Sequence, residues 1–103
     1  MGESVHKLLF RNPVFREGKN VTVRRGIKWS LETEAYIKNI GIVELSSVVI
    51  RAADIMNEMI EFEHDPSCRN RYGLINELRR IYPGFNENEI VTILSFNVCS
   101  KNK

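Results

Sequence analysis

In Lys19-Asn20-Val21-Thr22-Val23-Arg24 apolar and polar residues alternate strictly, with Val21 and Val23 on one side of an extended chain and Asn20, Thr22 and Arg24 on the other. This predicts a β-strand over Asn20–Arg24 with one buried face. Upstream, the β-branched and apolar run Val5–Phe10 predicts another strand, stopped at Asn12-Pro13, where proline cannot donate to a ladder. Val14–Gly18 between them reads as a short turn or one helical turn ending on a glycine. Downstream, Arg25-Gly26-Ile27-Lys28-Trp29 breaks the period and predicts a loop, with Gly26 supplying an unusual backbone conformation. Ala35–Ile40 and Glu44–Arg51 are further strand candidates, joined as a hairpin through Gly41 with Asn39 beside it. Ile55–Phe62 reads as a short helix or an irregular packed segment, ended by Asp65-Pro66-Ser67.

The clearest helix runs over Tyr72–Tyr82. Leu74, Ile75, Leu78, Ile81 and Tyr82 line one side, and Asn76, Glu77, Arg79 and Arg80 the other. Asn70 is the expected N-cap, and Pro83-Gly84 stops the helix. Glu89–Val98 predicts a last strand, with Ile90, Thr92, Leu94, Phe96 and Val98 sharing a face. Strands followed by a helix and a returning strand indicate an α+β fold: a small mixed β-barrel or curled sheet with one or two flanking helices.

With 103 residues the chain makes one domain, 1–103, because two cores of half that size would each be marginal. The 43% hydrophobic and 27% charged residues suit a globular chain, not a disordered one. A net charge of +2 excludes a histone-like protein. Cys68 and Cys99 lack C-x-x-C spacing, so neither a zinc ribbon nor a disulfide scaffold is expected, and a reducing cytoplasm is the simplest home. No apolar run is long enough to span a bilayer, and the first residues lack a secretory h-region. No membrane partner, metal or cofactor is expected.

Charge is segregated along the chain. Lys7, Arg11, Arg16, Lys19, Arg24, Arg25 and Lys28 face only Glu17, whereas Glu32 to Asp65 is strongly acidic. The two halves either pair with each other or form an anion-binding cleft with a carboxylate at its rim.

Three constellations carry possible chemistry. Thr22 and Arg24 lie on one strand face about 6–7 Å apart, with Lys19 just before them and able to lean over the same face. Nearby cations stabilise an oxyanion, and a partly desolvated lysine can take a hydroxyl proton. The plain alternative is a β-favouring threonine on a solvated basic face. Glu63-His64-Asp65 offers a general acid or base if folding brings it to Thr22, or else capping and turn residues before Pro66. Arg24, Arg25 and Lys28 beside Trp29 suit phosphate contact and base stacking, while Trp29 equally suits a core plug.

The order Lys19-Asn-Val-Thr22-Val-Arg24, then Leu78-x-x-Ile81-Tyr82-Pro83-Gly84, then Ile90-Val-Thr-Ile-Leu-Ser-Phe96 resembles the ASCH domain of the PUA-like superfamily, over about Leu8 to Val98. The resemblance implies a small β-barrel with flanking helices and a cleft for RNA or nucleoside ligands. Small bacterial N4-acetylcytidine amidohydrolases of that family use a Lys, a Thr and a Glu, with the Lys three residues before the Thr, as in Lys19 and Thr22. Their Glu position falls near Ser67 here, and the nearest carboxylates are Asp65 and Glu63. The family's Gly-Asp turn after the first motif is replaced by Arg25-Gly-Ile-Lys-Trp29. On this resemblance Lys19 would activate Thr22, Glu63 or Asp65 would protonate the departing amine, and Arg24 would steady the oxyanion. A non-catalytic RNA-binding module, possibly regulatory in role, is the other expectation, with oligomeric state left open.

Overall fold

The computed structural model describes residues 6–10 and 14–99. Five strands and one α-helix follow in the order β1 (Gly18–Arg25), β2 (Glu34–Ile37), β3 (Gly41–Glu44), β4 (Ser46–Arg51), α1 (Arg71–Ile81) and β5 (Ile90–Val98). All strand pairing between these elements is antiparallel. β5 lies between β1 and β4 in a three-stranded sheet, while β2 and β3 form a separate hairpin. The architecture is mixed α+β. The ladders leave two open sheets rather than the closed barrel expected. Among the described residues no helix is long and apolar enough to cross a membrane.

Two cores explain the pattern of β5. Val91 and Ile93 pack with Val21, Val23, Leu74, Ile75 and Leu78 on the helix side. Leu94 and Phe96 pack with Leu8, Ala35, Ile37 and Val43 on the hairpin side. A strand covered on both faces reads as a continuous apolar run, so the single face expected from Ile90, Leu94, Phe96 and Val98 is half of its burial.

β1 extends beyond the expected Asn20–Arg24 at both ends, and its buried Asn20 is satisfied locally. The Asn20 amide donates to Arg16 O at 2.8 Å and accepts from Arg16 N at 3.1 Å. Gly26, at φ 85°, turns the chain out of the strand as expected. The hairpin through Gly41 forms, but between different strands. The first ends at Ile37, Asn39 and Gly41 take positive φ, and the return strand is Gly41–Glu44. The expected strand Glu44–Arg51 is interrupted at Leu45, whose N–H goes to Thr33 O at 2.8 Å as the chain passes from one sheet to the other. Ile55–Phe62 is irregular, holding only a 3₁₀ turn at Asn57–Met59. In the N-terminal run, Lys7 makes an isolated bridge to Tyr36; Val5, Arg11 and the Asn12-Pro13 stop lie outside the described residues.

α1 forms where its period and caps predict. The Asn70 side chain accepts from Gly73 N at 2.9 Å, and the Tyr82 N–H closes the last turn onto Leu78 O before Gly84 turns at φ 85°. Its first turn presses on the preceding 3₁₀ turn Pro66–Cys68: a Cβ on Gly73 would stand 1.8 Å from the Ser67 carbonyl oxygen. Gly73→Ala is therefore expected to destabilise the fold by about 1–3 kcal/mol or more, seen as a lower urea midpoint at unchanged slope. An unchanged midpoint would show that the two turns are not in contact.

Candidate active site at the open edge of β1

Antiparallel pairing fixes which backbone groups of β1 are spent on β5. Gly26 N donates to Ile90 O, so Thr22 and Arg24 bond toward β5 while Val21 and Val23 face the open edge. The Val21 N–H takes Phe62 O at 3.0 Å and forms a parallel bridge with Glu63. Glu63 is held by its own backbone as well: its N–H donates to Ile60 O, and its carbonyl accepts from Arg69 Nε at 2.8 Å. Past the bridge the edge opens into a recess of about 600 Å³, lined by Thr22, Arg24, Glu63, His64, Phe10 and Tyr82 among others, with Leu74, Leu78 and Ile81 as apolar wall.

Glu63 and Thr22 are nearly sealed, at 4% and 3% exposure. Burial pushes the Glu63 carboxyl up to about 7, reinforced by the nearby Asp65 charge. Hydrogen bonds from the Asp65 N–H, at 2.8 Å, and from Thr22, with the Arg24 charge, pull the other way and lose. A carboxyl in this condition can both give and take a proton near neutrality.

Arg24 lies under the N-terminal segment. It donates to Leu9 O at 2.7 Å and its guanidinium sits 4.8 Å from the centre of the Phe10 ring. Its buried Nε has no hydrogen-bond partner, and burial lowers its pKa. His64 is half-buried against Phe10 and Phe15, and burial holds its imidazole below the ordinary histidine range. The Cys68 thiol is pushed up to about 12 by burial, which leaves it a packing group rather than a nucleophile.

Four of the eight sequence-predicted residues therefore meet: Thr22, Arg24, Glu63 and Asp65. Asp65 is nevertheless engaged in structure. Its Oδ1 accepts from Ser67 Oγ at 2.8 Å and from Ser67 N at 3.0 Å, capping the 3₁₀ turn, and the serine hydroxyl holds its pKa down. Glu63 is the carboxyl left for chemistry. Lys19 is on the other face of β1, with its Nζ 5.4 Å from the centre of the Phe62 ring, so the expected convergence of Lys19 with Thr22 and Arg24 does not occur. Arg25, on that same face, forms a two-point ion pair with Glu89 and stacks on Tyr82 from outside the recess. Lys28 is exposed on the β1–β2 loop. Trp29 packs on the hairpin core with His6 edge-on to it and does not line the recess.

Sequence reasoning passed over Phe10, Arg80 and Tyr82 as recess residues. Two guanidiniums (Arg24 and Arg80) and three carboxyl groups (Glu63, Asp65 and Glu77) line the recess, and Arg80 pairs with Glu77. The lining thus has no excess positive charge with which to hold a phosphate. Among the described residues no cluster of His, Cys, Asp and Glu has a metal-binding arrangement. The chain matches none of the family models, curated proteins or solved structures with which it was compared.

Glu63 gives folding a specific pH dependence. Its folded pKa, about 7, stands above the ~4.3 of an unfolded glutamate, so between these values the unfolded chain has lost a proton that the folded chain keeps. Stability then falls as pH rises through this window, by on the order of 3 kcal/mol, and levels off above it. His64 acts in the opposite sense, so the comparison with Glu63→Gln isolates the carboxyl. Urea unfolding from about pH 5 to pH 8 should show the decline in wild type relative to the variant. Parallel curves for the two proteins would refute the assignment.

Proposed function

We propose that the chain is an ASCH-type amidohydrolase acting on a small neutral nucleoside acylated at an exocyclic amine, with N4-acetylcytidine as the model substrate. The observation that carries this reading is a buried carboxyl, Glu63, and a buried threonine hydroxyl, Thr22, lining one recess with Arg24. In this proposal the two sheets correspond to the halves of a PUA-like barrel, and the free thiols Cys68 and Cys99 suit the cytoplasm.

The Glu63 carboxylate takes the Thr22 hydroxyl proton as Oγ attacks the acyl carbon. The resulting oxyanion is steadied by the Arg24 guanidinium. As the C–N bond breaks, protonated Glu63 returns the proton to the departing N4 amine, which leaves an acetyl ester on Thr22. Water then attacks the ester with Glu63 again as base; acetate leaves and Thr22 regains its proton. Lys19 has no part in this scheme, because Glu63 supplies both proton transfers. The balanced charge of the recess favours a neutral nucleoside over an anionic strand.

The competing reading is a non-catalytic RNA-binding module, favoured by exposed Lys28 next to half-buried Trp29 on the β1–β2 loop. Incubation with N4-acetylcytidine, with chromatographic detection of cytidine, separates the two. Wild type should release cytidine at a rate little affected by salt. Thr22→Val and Glu63→Gln should each lose roughly 10²–10⁴-fold, while Lys19→Ala keeps most of the activity. An inert wild-type protein would overturn the proposal, and binding of RNA that weakens steeply with salt would support the module instead.

A further inference from the structure

The pairing of β4 leaves one of its edges open in a specific way. Ala52 N donates to Glu89 O, next to the Arg51–Ile90 pair, so alternation sends the backbone groups of Ile50 and Val48 toward β5. Those of Ser47, Val49 and Arg51 face away from it. Leu45, of the same parity, spends its N–H on Thr33 O, but no described residue bonds the outward groups of Ser47, Val49 or Arg51.

This edge lacks the usual protection. Edge strands are commonly blunted by lysine, proline, a bulge or an inward charge. Ser46-Ser47-Val48-Val49-Ile50 has none of these, and Val48 and Val49, on opposite faces, are 48% and 43% exposed. The segment's only charge, Arg51, is tied back to Asp54 at 2.9 Å.

We propose that the β4 edge pairs antiparallel with the β4 edge of a second copy of this chain, about a two-fold axis at Val49. Val49 is the midpoint of the three outward-facing residues, so this register engages all of them: Val49 with Val49, and Ser47 with Arg51 on either side. Between these hydrogen-bonded pairs Val48 falls opposite Ile50, an apolar cross-strand match on the helix side. Arg51 meets a serine rather than another arginine, so no like charges oppose each other. The strand is thus complementary to itself, which is what a two-fold interface requires. The product is a continuous six-stranded sheet. The recess beside β1 is at the far edge and stays open, so this pairing stands or falls independently of the hydrolase reading.

Sedimentation equilibrium over a range of concentrations tests it. Wild type should approach twice the monomer mass. Val49→Lys and Val49→Glu should each remain monomeric, because the axis sets each new charge directly against its own counterpart. Mixed in equal amounts, the two variants should form a heterodimer. A wild type that stays monomeric, a Val49→Lys protein as dimeric as wild type, or a mixture that does not associate would overturn the proposal. If circular dichroism shows the charged variants unfolded, Val49→Pro serves: it removes an outward N–H, spares the β4–β5 ladder, and must abolish the dimer.

Discussion

The arrangement of the site depends on one backbone contact, the bond from the Val21 N–H to Phe62 O that forms the bridge at Glu63. β1 has spent its other side on β5, and its open side would otherwise face water. A single bridge attaches the irregular segment after β4 to that side and turns a carboxylate inward. The Glu63 N–H bond to Ile60 holds the same peptide from its other side, and the Arg69 bond to the Glu63 carbonyl holds the next one. Glu63 is therefore positioned by its backbone and by the Asp65 N–H on its carboxylate, and it stays only 4% exposed.

That confinement explains the electrostatics. A carboxylate near an arginine is usually held well below its ordinary pKa, yet Glu63 moves the other way. Arg24 is occupied by the Leu9 carbonyl and the Phe10 ring and does not form an ion pair with Glu63. Desolvation outweighs what remains of the attraction. Asp65, two residues on, shows the opposite balance: Ser67 supplies two hydrogen bonds to the same oxygen, and the pKa falls. Two carboxyl groups in one loop are separated in chemistry by their local partners.

The parts legible from sequence are those set by local periodicity and caps. Asn20–Arg24 reads as a strand from its alternation, although Asn20 and Thr22 are buried along with Val21 and Val23, so the single buried face expected is two. Asn70 and Pro83-Gly84 bound α1 because helix ends need those groups. The break at Leu45 could not be read, since a β-rich run gives no sign of changing its partner from β2 to β5. The acid was legible in part. Glu63 and Asp65 were equal candidates with capping open to both, and only the two bonds from Ser67 to Asp65 tell them apart. Lys19 was expected over the Thr22 face, but counting by two from Val21 puts it on the opposite one, where its Nζ lies over the Phe62 ring. Trp29 depended on packing against the hairpin, which no local pattern encodes.

β5 has a consequence for how the chain reaches this structure. β1 and β4 do not bond to each other; each bonds to Ile90–Val98, which also supplies residues to both apolar cores. The first ladder thus joins residues about seventy positions apart along the chain, the kind of distant closure that slows acquisition of native order. During synthesis β1 and β4 must wait, unzipped, until the segment from Ile90 onward has cleared the ribosome. Only the short β2–β3 hairpin and α1 have their backbone partners close by, and they can take shape earlier.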